Sequence, residues 1–140
     1  MSQTWILYPL FVMFLLSVFV GLRMLQLRFR AVMQDNLNPV YFKLNRGGKP
    51  PAYMAQAEQH FTNLYETPLL FYVVIVLIYV LSMTDIFLVA LAWLYVASRF
   101  IHAHIHMNNN KILRRRNIFL GSIGILSVLW TYVFMSLMLA

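Results

Sequence analysis

Four long apolar runs, separated by short polar or basic segments, leave this chain one kind of fold to adopt. Within a bilayer every backbone amide must find its partner inside the protein, and a helix does this by itself. Crossing the hydrocarbon takes roughly 20 helical residues. The first run, Trp5 to Leu22, is interrupted only by Pro9, Ser17 and Gly21, and Pro9 falls in the opening turns, where a missing N–H matters least. The preceding MSQTW carries no positive charge and no small-x-small cleavage site precedes Arg23 to Arg30, so an uncleaved helix is expected rather than a signal peptide. After Pro68 only thirteen apolar residues, Leu69 to Leu81, remain before the Ser82-Met83-Thr84-Asp85 break. The second span must therefore begin near Phe61, which carries Asn63 and Glu66 into the hydrocarbon. A third run covers Ile86 to Met107, with Thr84 or Asp85 suited to cap it. The fourth, Ile118 to Leu139, contains Gly121, Ser122, Gly124 and Ser127, small residues that let another helix approach closely.

These runs predict an all-α fold, an integral membrane four-helix bundle of up-down topology in one domain, residues 1–140. Spans are expected at about 5–27, 58–82, 86–107 and 117–139, with loops at about 28–57 and 108–116. Pro39, Gly47-Gly48 and Pro50-Pro51 mark the first of these loops, within which Val40-Tyr41-Phe42 is apolar enough to touch the interface. A chain that is 61% hydrophobic and 11% charged lies outside the soluble range, which leaves the bilayer as its partner. Having no cysteine, it can form neither disulfides nor thiolate metal ligands. The net charge of +7 could suggest nucleic acid, but the positions of the charges decide otherwise. Six cations follow the first apolar run, from Arg23 to Lys49, and five sit at the end of the third span and in the loop after it, which accounts for all eleven. The positive-inside rule then puts both basic segments in the cytoplasm and both termini outside, and no nucleic-acid role is expected.

Polar side chains inside a span are the functional lead, because each costs several kcal/mol unless it faces protein or water. Gln56, Gln59, Asn63 and Glu66 recur at three, four and three residues and are expected to form one stripe. Counted from the outer turn, Glu66 is about 24 Å deep and Arg99 about 20 Å, so the two are expected to face each other as a pair. On the third span Arg99, His102 and His106 share a face while His104 points away. His102 and His106 are spaced for one metal, but with no cysteine nearby no metal centre is expected. Arg28, Gln59, Asn63, Glu66, Arg99, His102, His106 and one or more of Arg114 to Arg116 thus gather at the inner ends of the helices. Such donors suit a small anionic or lipophilic ligand at the cytosolic membrane surface. The competing readings are that Asn63, Glu66 and Arg99 only tie helices together, that the histidines bond near lipid headgroups, or that these groups form a proton or ion path.

The segment Asn63 to Phe71, NLYETPLLF, resembles, with its proline one position earlier, the N-x-x-E-x-x-P-x-F signature on the second helix of the MAPEG superfamily, membrane-associated proteins in eicosanoid and glutathione metabolism. The Arg28-x-Arg30 ending of the first span, Arg99-x-x-His102 and the basic cluster entering the fourth span are similar to features of that family. The resemblance covers nearly the whole chain and points to a divergent, bacterial-type member. It implies a homotrimer, in the bacterial inner membrane, that binds glutathione between subunits near the cytosol. Arg28, Asn63, Glu66, Arg99, His102 and Arg115 are the matching positions, with Arg115 as the catalytic cation and Arg114 and Arg116 beside it. Other family ligands, two arginines and two tyrosines, fall here on Gln59, Thr62, His106 and Phe119, which predicts weaker glutathione binding. The function implied is a glutathione-dependent membrane enzyme of transferase or peroxidase type acting on an apolar electrophile. The alternative is a non-catalytic protein of the same fold that binds an anionic lipid or a protein partner.

Overall fold

The computed structural model describes residues 2–44, 48–108 and 111–139; Arg46, Gly47, Asn109 and Asn110 of the two basic segments lie outside the described residues. A 3-10 turn, Gln3–Ile6, leads into α1 (Leu7–Met33), followed by α2 (Tyr41–Leu44), α3 (Ala52–Val80), α4 (Ile86–Met107) and α5 (Ile112–Leu139). Among the described residues there is no strand, and the four long helices are each apolar and long enough to cross a membrane. The expected all-α class and its four apolar helices are therefore present.

Helix α4 has the expected limits, but α3 begins at Ala52 and α5 at Ile112, six and five residues ahead of the expected spans. Hydrocarbon thickness says where a membrane ends, not where a helix does. Gln, Glu, Ala and Arg are good helix formers and carry both helices beyond the apolar run. The first loop is not wholly irregular either, since the single turn of α2 buries Tyr41 against Ala31, Leu37 and Met54.

The helices form a ring in which α1 packs along α3 and α4 along α5, with α1–α4 and α3–α5 closing it. Helices α3 and α4 touch across the ring, whereas α1 and α5 make no contact among the described residues. The core holds Met13, Leu16, Phe71, Ile75, Leu88 and Leu129, and the Phe71 and Tyr95 rings stack at 4.5 Å. Gly21 brings α1 against α3, since a Cβ there would lie 3.3 Å from the Phe61 ring. Large apolar residues such as Phe11, Phe14 and Phe19 stay exposed on the outside of α1. That inversion of the usual pattern is what a lipid solvent allows.

The turn between α3 and α4 is tightly fixed. Ser82 takes a left-handed φ of 59°, and the N–H groups of Ser82 and Met83 donate to Tyr79 O and Ile78 O at 3.2 and 3.0 Å, closing a Schellman motif. Asp85, rather than Thr84, then caps α4, accepting from Leu88 N at 2.8 Å, while its other oxygen accepts from the Tyr132 hydroxyl of α5 at 2.9 Å. One carboxylate thus ties α4 to α5. Asp85→Ala should lower stability by ~1 kcal/mol through loss of the cap, and Tyr132→Phe, which removes only an exposed bond, by less. Denaturation in detergent micelles reads both, and equal losses for the two variants would exclude a capping role.

Candidate functional site

Which face of α3 turns inward decides which polar groups can meet. His60, Pro68, Phe71, Val74, Ile75 and Ile78 are buried and Asn63 is half-buried, whereas Gln59 and Glu66 are exposed. The expected stripe of Gln56, Gln59, Asn63 and Glu66 is therefore not one inward face. A step of three residues advances a helix by only about 300°, so each such step drifts from the stripe. Glu66 lies just beyond the edge of the core. The buried line runs through His60 instead.

Arg99 corrects the second expectation. It is fully buried, and no carboxylate reaches it; the one ion pair among the described residues joins Arg28 to Glu58 at 2.9 Å. Its guanidinium donates to Ser122 Oγ at 3.5 Å and to the backbone oxygen of Asn63 at 3.4 Å, and lies 5.8 Å from the Phe119 ring centre. Nε has no partner. Glu66 is turned outward on α3, so the expected Glu66–Arg99 pair does not form within one chain. What remains is a buried cation held by two long bonds to neutral oxygens, an arrangement that an anion would relieve.

Three histidines lie near this cation, toward the end of the bundle that carries the basic segments. His102 and His106 of α4 are buried, four residues apart, and His104 is exposed on the opposite face, bonded to Asn108. The third, His60 of α3, stacks on His106 at 4.5 Å with 14° between ring planes. His60 was not among the residues that the sequence singled out, although its steps of four from Gln56 and three to Asn63 place it on the inward line. Stacked rings aim their nitrogens side by side, and among the described residues no three His, Asp or Glu side chains gather as metal ligands. Among the described residues, Nε2 of His60 lacks a partner. The side-chain amide of Gln56 donates to the His106 carbonyl.

Arg115 enters from the first turns of α5. Its Nη1 lies 3.1 Å from His106 Nε2 and 3.4 Å from Gln59 Oε1, which it bridges from α5 to α4 and α3. Beside it is a cavity of about 290 Å³ lined by Asn63, His102, Ile112, Arg115, Arg116 and Phe119. Arg116 reaches only Asn117, at 3.5 Å. The structure thus brings together Gln59, Asn63, Arg99, His102, His106, Arg115 and Arg116. Arg28 stays apart, held by Glu58 and lying 5.2 Å over the Phe42 ring on α1, a helix that does not touch α5. Chemically the gathered set is rich in donors and poor in acids, which suits carboxylates or a thiolate.

A model described as the MAPEG family matches residues 6–135 of the chain. No curated protein and no solved structure matches it.

Proposed function

The chain belongs to the MAPEG family, and from that premise we propose that it is a glutathione-dependent membrane enzyme of transferase or peroxidase type, acting on an apolar electrophile that arrives through the lipid. The observation that carries this reading is the cavity beside Arg115, lined by Arg115, Arg116, Asn63 and His102, with the buried Arg99 bonded to the Asn63 backbone. Glutathione brings two carboxylates, which guanidinium forks bind in pairs. Its thiol, ordinarily near pKa 8.5, ionises more readily beside a cation at a helix N-terminus, the position of Arg115.

The same reading includes a homotrimer. Arg28 and Glu66 belong to the proposed ligand set, yet in a single chain neither faces the Arg115 cavity. An exposed carboxylate within a span needs a partner, and a neighbouring copy supplies one. Set against the α5 cavity of the next subunit, α1 would bring Arg28 to the site. In this assembly the four spans cross a bacterial inner membrane with both termini outside and the basic segments and the site at the cytoplasm.

Titrating glutathione into the purified, detergent-solubilised protein tests the central claim. Thiolate formation should appear as a rise in ultraviolet absorbance that saturates with glutathione and does not occur with the S-methyl analogue. A flat trace, with no heat of binding by calorimetry, would leave a non-catalytic member of the fold.

A further inference from the structure

Between α1, α3 and α4, at the end of the bundle that carries the basic segments, lies a second cavity of about 230 Å³. It shares no lining residue with the cavity beside Arg115, and of the residues gathered there only His106 also borders it, so the two cavities are distinct but meet at that ring. Its floor is apolar, formed by Val20, Met24 and Leu27, and Arg23 and Arg30 stand at its rim. These two arginines are seven residues apart, two turns along one face of α1.

Neither has a counter-ion. Arg23 makes no hydrogen bond or ion pair with a described residue, and Arg30 rests 5.2 Å over the Tyr53 ring. The carboxylates within reach are already engaged, Asp35 by the Tyr53 hydroxyl and Glu58 by Arg28. A third group in the wall points the same way. His60 is 3% exposed, and its Nε2 has no partner. A buried ring nitrogen without a partner is costly unless something enters to bond it. Depth suggests what enters. Arg23 lies sixteen residues along α1 from Leu7, about 24 Å, and the 3-10 turn adds about 8 Å. That total is close to the ~30 Å hydrocarbon thickness, so Arg23 sits where lipid phosphates begin.

We propose that this cavity binds a phosphate group through Arg23 and Arg30, with His60 bonding it from the buried side. Guanidinium forks match phosphate oxygens in pairs, and an apolar floor beside them suits the glycerol end of a phospholipid. The volume equals roughly seven or eight waters, enough for a headgroup and too little for an acyl chain. The phosphate comes from an anionic phospholipid or from free phosphate, and the experiment separates these sources.

Full-length protein is reconstituted in nanodiscs of equal phosphatidylglycerol and phosphatidylcholine, then released into detergent for native mass spectrometry. Retained phosphatidylglycerol, in excess over phosphatidylcholine, assigns the lipid source. A thermal midpoint raised by inorganic phosphate alone assigns the free anion. In either case the Arg23→Gln/Arg30→Gln variant should lose the effect by about tenfold or more, as two charge-assisted bonds require. Arg23→Gln by itself should show a partial loss, and Lys111→Gln, an exposed cation away from the cavity, none. Ala57→Phe keeps both arginines and fills the cavity, so it separates a pocket from surface attraction; it should behave like the double variant. Circular dichroism confirms that each variant is folded. Undiminished binding in the double variant or in Ala57→Phe, or no binding of either probe, overturns the proposal. Glutathione binding depends on Arg115 and should persist in all of these variants, so the two readings fail separately.

Discussion

Replacing Arg115 by alanine should lower glutathione-dependent turnover about 100- to 1,000-fold, the usual effect of removing one preorganised electrostatic donor from a developing charge. The position explains the size of the effect. Arg114, Arg115 and Arg116 crowd the first turns of α5, where the helix dipole disfavours cations, and no acidic residue offsets them in that turn. An anion placed beside them relieves that repulsion as well as gaining its own bonds. Arg115 also bridges His106 and Gln59, so its loss should cost only ~1 kcal/mol of stability, while the thiolate signal disappears. Arg115→Lys keeps the charge without the fork and should recover part of the rate. Initial rates with an apolar aryl halide, beside thermal midpoints, separate the two effects. A rate within a few-fold of the parent in Arg115→Ala would remove Arg115 from the chemistry.

Arg99→Met should move stability the other way. The guanidinium is fully buried, has no acid partner and leaves Nε unbonded, so it carries a desolvation cost that its two long bonds do not cover. Apolar replacement of buried charges of similar volume often stabilises by about 1–4 kcal/mol. We expect a gain in that range without ligand, measured as a higher midpoint in micelles. Glutathione should bind the variant about tenfold or more weakly, because a charge-assisted contribution is lost. If Arg99 served only to tie α4 to α3 and α5, the variant would instead be less stable and bind unchanged. Opposite signs make this comparison decisive between a structural and a ligand-holding role.

The sequence was most readable where a single physical cause dominates. Apolar length alone marks the four helices, and Asp85 after a short polar break sets the start of α4 at Ile86. His104 was correctly separated from His102 and His106, because alternate residues of a helix fall on opposite sides. The start of α3 was less readable, since membrane thickness and helix length are different quantities and Ala52 begins a helix well before the hydrocarbon does. Depth counting placed Glu66 level with Arg99, but depth says nothing of azimuth. On α3 the rotation is set by Phe71, Ile75 and Ile78, apolar residues whose packing turns Asn63 inward and Glu66 out. His60 was overlooked among polar neighbours for the same reason. Its burial comes from the aromatic face of His106, a contact between helices that no single-helix pattern contains.

Because α1 and α5 stand at opposite corners of the ring, Arg28 does not reach the Arg115 cavity of its own chain, although most of the proposed ligands already meet there. In the proposed trimer, isolated copies would lack Arg28 at the site and hold glutathione more weakly than assembled ones. Under that proposal, expression level would act on reactivity by mass action.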